Sequence, residues 1–204
     1  MINYIDLNTI YSNHSFGEFT INIDVEKTIA SKTIKDFYNV TNEYENFSDV
    51  YLFKKGEIVM CSTEMELLTN KPFIDNVIGD VLIVGLGLGM VVFPLLNDNS
   101  ITSITIIEKE LDIIDFVGLK ISEMDINNKV TILMGDAYNH YERLDINKKY
   151  DTIFLDFWNQ IDMSNVDEVT SMKQYYSPFL KNETSKIISW CEDIKELLIK
   201  TMNP

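Results

Sequence analysis

"GDVLIVGLGLGM", residues 79–90, places Gly85, Gly87 and Gly89 at every second position, directly behind the apolar run Val81–Val84. Four consecutive apolar residues suit a strand covered on both faces, as in a parallel sheet. Glycine permits positive φ and leaves space beside the backbone. The stretch therefore reads as the end of a central strand that either makes room for a ligand or turns tightly into the next element.

Downstream, strands and helices alternate. "ITSITIIE" (101–108), "KVTILMG" (129–135), "YDTIFLDF" (150–157) and "SKIISW" (185–190) read as strands. Between and after them, helices are predicted from about Leu88 to Leu96 and in "KELDIIDFVGLKI", "VDEVTSMKQYYSPFL" and "EDIKELLIKTM". Strand–helix repetition with continuously apolar strands predicts an α/β fold, a doubly wound, mostly parallel sheet. In such sheets ligands lie beyond the carboxyl ends of the strands, where the glycines stand.

The first sixty residues differ. "EFTINIDV" (18–25) alternates with strand period, and "DVYLFKKGEIVMC" (49–61) reads as a hairpin around Lys54-Lys55-Gly56. "TEMELLTNKPFIDNVIG" then predicts a helix opened by a capping box, Thr63 with Glu66, and stopped near Gly79. The expected organisation is a β-rich extension over 1–62 and a core domain over 63–204.

Composition narrows the partners. The chain has 204 residues, 46% hydrophobic content and a formal net charge of -15, enough apolar material for one core and a field that repels phosphates. A nucleic-acid partner is not expected. Cys61 and Cys191 form no C-x-x-C pair, and with only His14 and His140 no metal-ligand spacing appears. "MINYIDLNTIYSNH" lacks the basic start and apolar core of a signal peptide. Val81–Leu96, the longest apolar stretch, is too short for a bilayer span and carries glycines and Pro94. A cytoplasmic protein with no membrane partner is the expectation.

A dinucleotide fingerprint wants its third glycine three residues after the second, and here it comes after two, with Met90 at the fingerprint position. Three acids fall at strand ends: Glu108 after the second core strand, Asp136 after the third, Asp156 after the fourth. Each also has a plainer reading. The glycines serve a tight turn, Glu108 leads into a helix, and Asp136 caps the following turn. Asp156, between "TIFL" and "FW", is costly at that place unless employed.

In "VLIVGLGLG", "ITIIEKE", "VTILMGDA" and "YDTIFLDFW", with the hairpin before them, the chain resembles the class I S-adenosylmethionine-dependent methyltransferases, in their spermidine-synthase-like branch. It is also similar to methyltransferase-like proteins of phages and bacteria that share the Thr69-Asn70-x-x-Phe73-Ile74 run. The resemblance implies S-adenosylmethionine as cofactor. Gly85, Gly87 and Gly89 would line its methionine portion, and Glu108 would hold the ribose. Asp136 with Ala137 would meet the adenine, and Asp156 with Phe157 would face the reacting centre. Glu66 would assist Asp156 in orienting or deprotonating a small-molecule or protein acceptor.

Two departures are visible. The family's D-x-x-D run here reads Asp156-Phe157-Trp158-Asn159, without the second acid, so aminopropyl transfer is the alternative and methyl transfer the first expectation. The chain also ends about one helix after the fifth strand, so the last two strands of the usual sheet are expected to be missing. That keeps a non-catalytic scaffold as a further alternative. It leaves "SKIISW" as an edge open to pairing in a homo-oligomer, most simply a dimer.

Overall fold

In the computed structural model, which describes residues 3–24, 26, 28–40, 44, 46–142, 144–159, 166–191 and 193, the glycine stretch ends the middle strand of a five-stranded parallel sheet. In chain order the regular elements are β1 (His14–Phe16), β2 (Phe19–Asp24), α1 (Lys32–Phe37), β3 (Asp49–Lys54), β4 (Glu57–Cys61), α2 (Glu64–Thr69), α3 (Lys71–Ile74), β5 (Gly79–Val84), β6 (Ile101–Glu108), α4 (Leu111–Met124), β7 (Val130–Met134), β8 (Thr152–Leu155), α5 (Val166–Tyr176) and β9 (Lys186–Ser189). The core sheet runs β7-β6-β5-β8-β9, the Rossmann-like order in which winding reverses beside β5.

Val81, Leu82, Ile83 and Val84 are all buried because β5 is paired on both sides and covered on both faces. Register makes the strand ends level. Val84 pairs with Ile107 and Leu155, Glu108 with Met134, and Leu155 with Ser189. Residues that follow these ends therefore emerge along one rim. The helix α4 buries Ile113, Val117 and Ile121, at fourfold spacing along one face.

The N-terminal strands form an antiparallel sheet in the order β1-β2-β3-β4, with Lys55 (φ 52°) and Gly56 (φ 89°) turning the β3–β4 hairpin. This sheet lies against the core. Phe16 stacks on Phe116 of α4 at 4.2 Å, and the Tyr11 hydroxyl donates to the Leu88 carbonyl at 2.8 Å.

Three local expectations need correction. No α-helix spans 88–96; the chain makes turns and a short 3-10 turn at Phe93–Leu95, since Gly87 and Gly89 both take positive φ and Pro94 cannot donate. The helix expected from Thr63 breaks at Asn70, with Pro72 in the first turn of α3. Thr63 stands at the N-cap without a side-chain cap bond, so there is no capping box, and Glu66 points elsewhere. The expected helix "EDIKELLIKTM" lies outside the described residues. No helix among the described residues is long and apolar enough to cross a membrane.

Candidate functional site

At the rim where β5, β6 and β8 end, the chain encloses a cavity of about 380 Å³. The hairpin β3–β4 forms one wall, through Lys54, Ile58 and Met60. The ends of the core strands form the opposite wall. Of the residues singled out in the sequence, Gly85, Gly87, Glu108, Asp136, Ala137, Asp156, Phe157 and Glu66 all line this cavity. Gly89 does not. A side chain there would meet the Phe93 ring at 2.9 Å, so Gly89 serves the turn that follows the loop.

The other two glycines each have a physical reason. A Cβ on Gly85 would stand 1.9 Å from the Asp156 carbonyl oxygen, so the glycine lets the loop touch the backbone beyond β8. A Cβ on Gly87 would meet the Met60 sulfur at 2.2 Å, and that sulfur also accepts the Leu88 N–H at 3.1 Å. The hairpin thus closes onto the glycine loop through a thioether. Sequence reading missed Met60, whose apolar side chain on β4 carried no signal of a loop contact.

Glu108 is buried, and its two oxygens accept the N–H groups of Leu86 (2.9 Å) and Glu110 (2.8 Å). It braces the glycine loop while facing the cavity. Each carboxylate oxygen can accept more than one hydrogen bond, so this bracing leaves capacity toward a ligand. Asp136 accepts the Tyr138 N–H at 2.8 Å, which starts the 3-10 segment Ala137–Glu142, so its capping role is realised at the cavity wall. Tyr138 itself is tied to the Glu168 carboxylate and lies edge-on to Phe157 at 5.5 Å.

Glu66 and Asp156 both line the cavity, close enough for the Asp156 charge to act on Glu66. Burial pushes the Glu66 carboxyl up to about 8, and the Asp156 charge adds to this, while hydrogen bonding from Asn70 and Trp190 opposes it. Burial pushes Asp156 up to about 7. Burial also raises the Cys191 thiol, with Glu66 and Asp156 adding to the effect. The helix break places Glu66 here. Asn70 donates its amide to the Glu66 carbonyl at 2.9 Å and to the Glu66 carboxylate at 3.3 Å, which ends α2 and holds the acid. Phe157 and Trp158 stack at 3.9 Å beside the pair, and Asn159 lies exposed at the edge. Two carboxylates held near neutral in a cavity with aromatic walls can store a proton, accept one from a bound amine or hydroxyl, or hold a cation.

Solved structures of similar shape include a Staphylococcus aureus protein described as a caffeoyl-CoA O-methyltransferase (18% identity, 71% of this chain and 72% of that one, TM-score 0.47). The precorrin-8w decarboxylase of Methanobacterium thermoautotrophicum aligns at 16% identity over 71% of this chain and 74% of its own, TM-score 0.47. The CcbJ methyltransferase of Streptomyces caelestis gives 19% identity over 59% and 50%, TM-score 0.45, so this chain spans half its length. No curated protein sequence matches the chain. The family profile described as the spermine/spermidine synthase domain matches residues 61–186, which hold β5 to β8 and every cavity acid named above. The chain belongs to the spermine/spermidine synthase domain family.

Proposed function

We propose that the cavity binds S-adenosylmethionine and that the protein transfers a group from it, a methyl group in the first reading, to a small acceptor. The observation that carries this is the set of level strand ends. They put the glycine loop, Glu108, Asp136 and Asp156 around one cavity of about 380 Å³, within the range of roughly 300–1,000 Å³ common for small-ligand sites. The residues fit such a ligand. Glu108 has acceptor capacity for ribose hydroxyls, the loop exposes backbone rather than side chains, and Asp136 with Ala137 closes the far wall. When bound, the sulfonium supplies an electrophilic carbon and a neutral thioether leaving group. The protein then has to bring the acceptor into line, exclude water and take one proton. Asp156, raised toward neutrality by burial, is suited to receive that proton, with Glu66 behind it.

A second reading, aminopropyl transfer, is favoured by Glu66. It supplies a second carboxylate beside Asp156, where Asn159 replaces the acid of the D-x-x-D run. Calorimetry with S-adenosylmethionine and its demethylated product is expected to give dissociation constants of about 1 µM, about −8 kcal/mol. Binding of NADH without either sulfur compound would overturn the cofactor reading. Incubation with decarboxylated S-adenosylmethionine and putrescine is expected to yield no spermidine; its formation at an enzymatic rate would promote the second reading over the first.

A further inference from the structure

We propose that Met60 is a site of reversible oxidation: its thioether pins the glycine loop, and conversion to the sulfoxide by a hydroperoxide releases that loop. The modification stands on the contacts around the sulfur. Its consequence for ligand binding rests on the S-adenosylmethionine reading of the cavity.

Leu88 is the point at which the N-terminal part grips the glycine loop. It is fully buried, and side chains of that part meet both of its backbone polar groups. The Tyr11 hydroxyl donates to its carbonyl at 2.8 Å, and the Met60 sulfur accepts its N–H at 3.1 Å. Among the described residues no other acceptor serves that N–H. A leucine at position 60 would leave it unmet, so the sulfur's lone pair is what the position requires.

Strand pairing explains how a β4 side chain reaches the loop. Between β3 and β4 the register shifts: Leu52 faces Met60 and Phe53 faces Ile58, so Val59 is the extra residue of a bulge. A bulge re-aims the side chains beside it. Here the Met60 sulfur comes to lie 2.2 Å from where a Gly87 Cβ would stand. The slot fits a bare thioether and nothing larger.

Met60 is half-buried and lines the cavity, so a small oxidant reaches it by the route open to a ligand. A sulfur lone pair attacks one oxygen of the hydroperoxide. The S–O bond forms, the O–O bond breaks, and the peroxide's proton passes to the departing oxygen, which leaves as water or an alcohol. The sulfur is oxidised by two electrons and the peroxide reduced by two. A reductase reverses the step, two thiols becoming a disulfide and the oxygen leaving as water. The new oxygen has no room beside Gly87 and makes an apolar group polar. The sulfur must withdraw, and the hairpin and the loop part. Other sulfurs are placed differently. Met90 and Met172 are buried, and Met134, 52% exposed, lies on β7, two strands from β5. Burial holds the neighbouring Cys61 thiol up, away from the reactive thiolate.

The test treats the full chain with hydrogen peroxide, maps sulfoxides by peptide mass spectrometry and follows amide hydrogen exchange over residues 85–91. Met60 sulfoxide is expected to form, with Leu88 exchanging about tenfold faster and S-adenosylhomocysteine binding about tenfold more weakly. Methionine sulfoxide reductase with dithiothreitol is expected to restore both. Met60→Leu is expected to show the faster exchange from the start and no further response to peroxide, whereas Met134→Leu responds as the natural chain does. The proposal is overturned by a Met60 that stays reduced while Met134 is oxidised, or by a Met60 sulfoxide with unchanged exchange over 85–91. A Met60→Leu chain that still responds to peroxide, or a change that the reductase does not reverse, overturns it equally. Failure of the untreated chain to bind S-adenosylhomocysteine counts against the cofactor reading alone, because exchange of the loop still decides the role of Met60.

Discussion

The Glu66 and Asp156 carboxyls ionise in the folded state, at a cost to it, only when pH rises past their raised values. Their ordinary values are 4.5 and 3.8, and in the fold they stand at about 8 and about 7. Between those limits the folded chain binds more protons than the unfolded one. The stability they contribute is thus full at low pH and is lost as pH climbs through about 7 and 8, at up to about 1.4 kcal/mol per pH unit for each group. The groups facing them from neighbouring elements, Tyr4 and Cys191, are raised and stay neutral throughout that window. Surface acids with lowered values, Glu18, Asp98 and Asp151, act on the acid side and do not offset the trend. Denaturant midpoints measured from pH 5 to 8 are expected to fall for the natural chain relative to the Glu66→Gln, Asp156→Asn double variant. Parallel pH profiles would show that the pair is not raised. Asp156 was legible in the sequence, because an acid between apolar and aromatic residues at a strand end needs a reason. Glu66 was expected beside Asp156 through the family resemblance, not from its local pattern. Its spacing from Thr63 pointed to a capping box, and only the break at Asn70 explains why it turns into the cavity.

Between elements, the contact that sets the site's geometry is the one between the glycine loop and the chain leaving β8. Gly85 has φ 98° and no room for a Cβ, which would meet backbone at 1.9 Å. Gly56 in the β3–β4 turn has φ 89° but open space. The pair separates conformational strain from close approach. Gly56→Ala carries strain alone, about 1–3 kcal/mol, whereas Gly85→Ala adds a forced backbone shift of about 1–3 kcal/mol more. Urea unfolding of both variants measures the difference, and equal losses would mean that the loop yields without moving Asp156. The core strands were readable because buried parallel strands must be continuously apolar. The segment 88–96 misled for the same reason: its apolar residues are buried, but positive φ at two glycines and Pro94 prevent a helix. The elements β1 and α1 are too short to leave a period in the sequence.

At the scale of the whole molecule, the boundary near residue 62 is a change of sheet and not a change of core. Leu7, Tyr11, Phe19, Ile21, Val50 and Leu52 belong to the same buried cluster as Val81, Ile83, Phe93 and Ile113. Burial of such side chains stabilises by about 1.5–3 kcal/mol each, so the six from the N-terminal part contribute on the order of 10 kcal/mol. That is comparable to the whole net stability of a typical domain, about 5–15 kcal/mol. Polar ties run the same way, from Tyr11 to Leu88 and from Lys54 to Glu110. The two sheets are therefore expected to unfold together. In urea, fluorescence of Trp158 and Trp190, which report on the core-sheet rim, should follow the same curve as far-ultraviolet circular dichroism, which also sees the N-terminal strands. A chain beginning at residue 63 should lose its cooperative transition, because Phe116 of α4 and the Leu88–Phe93 turn, which the N-terminal part covers, would lie open to water. Two resolved transitions in the full chain, or a cooperatively folding 63–204 fragment, would show that the N-terminal sheet is an addition to the core and not part of it.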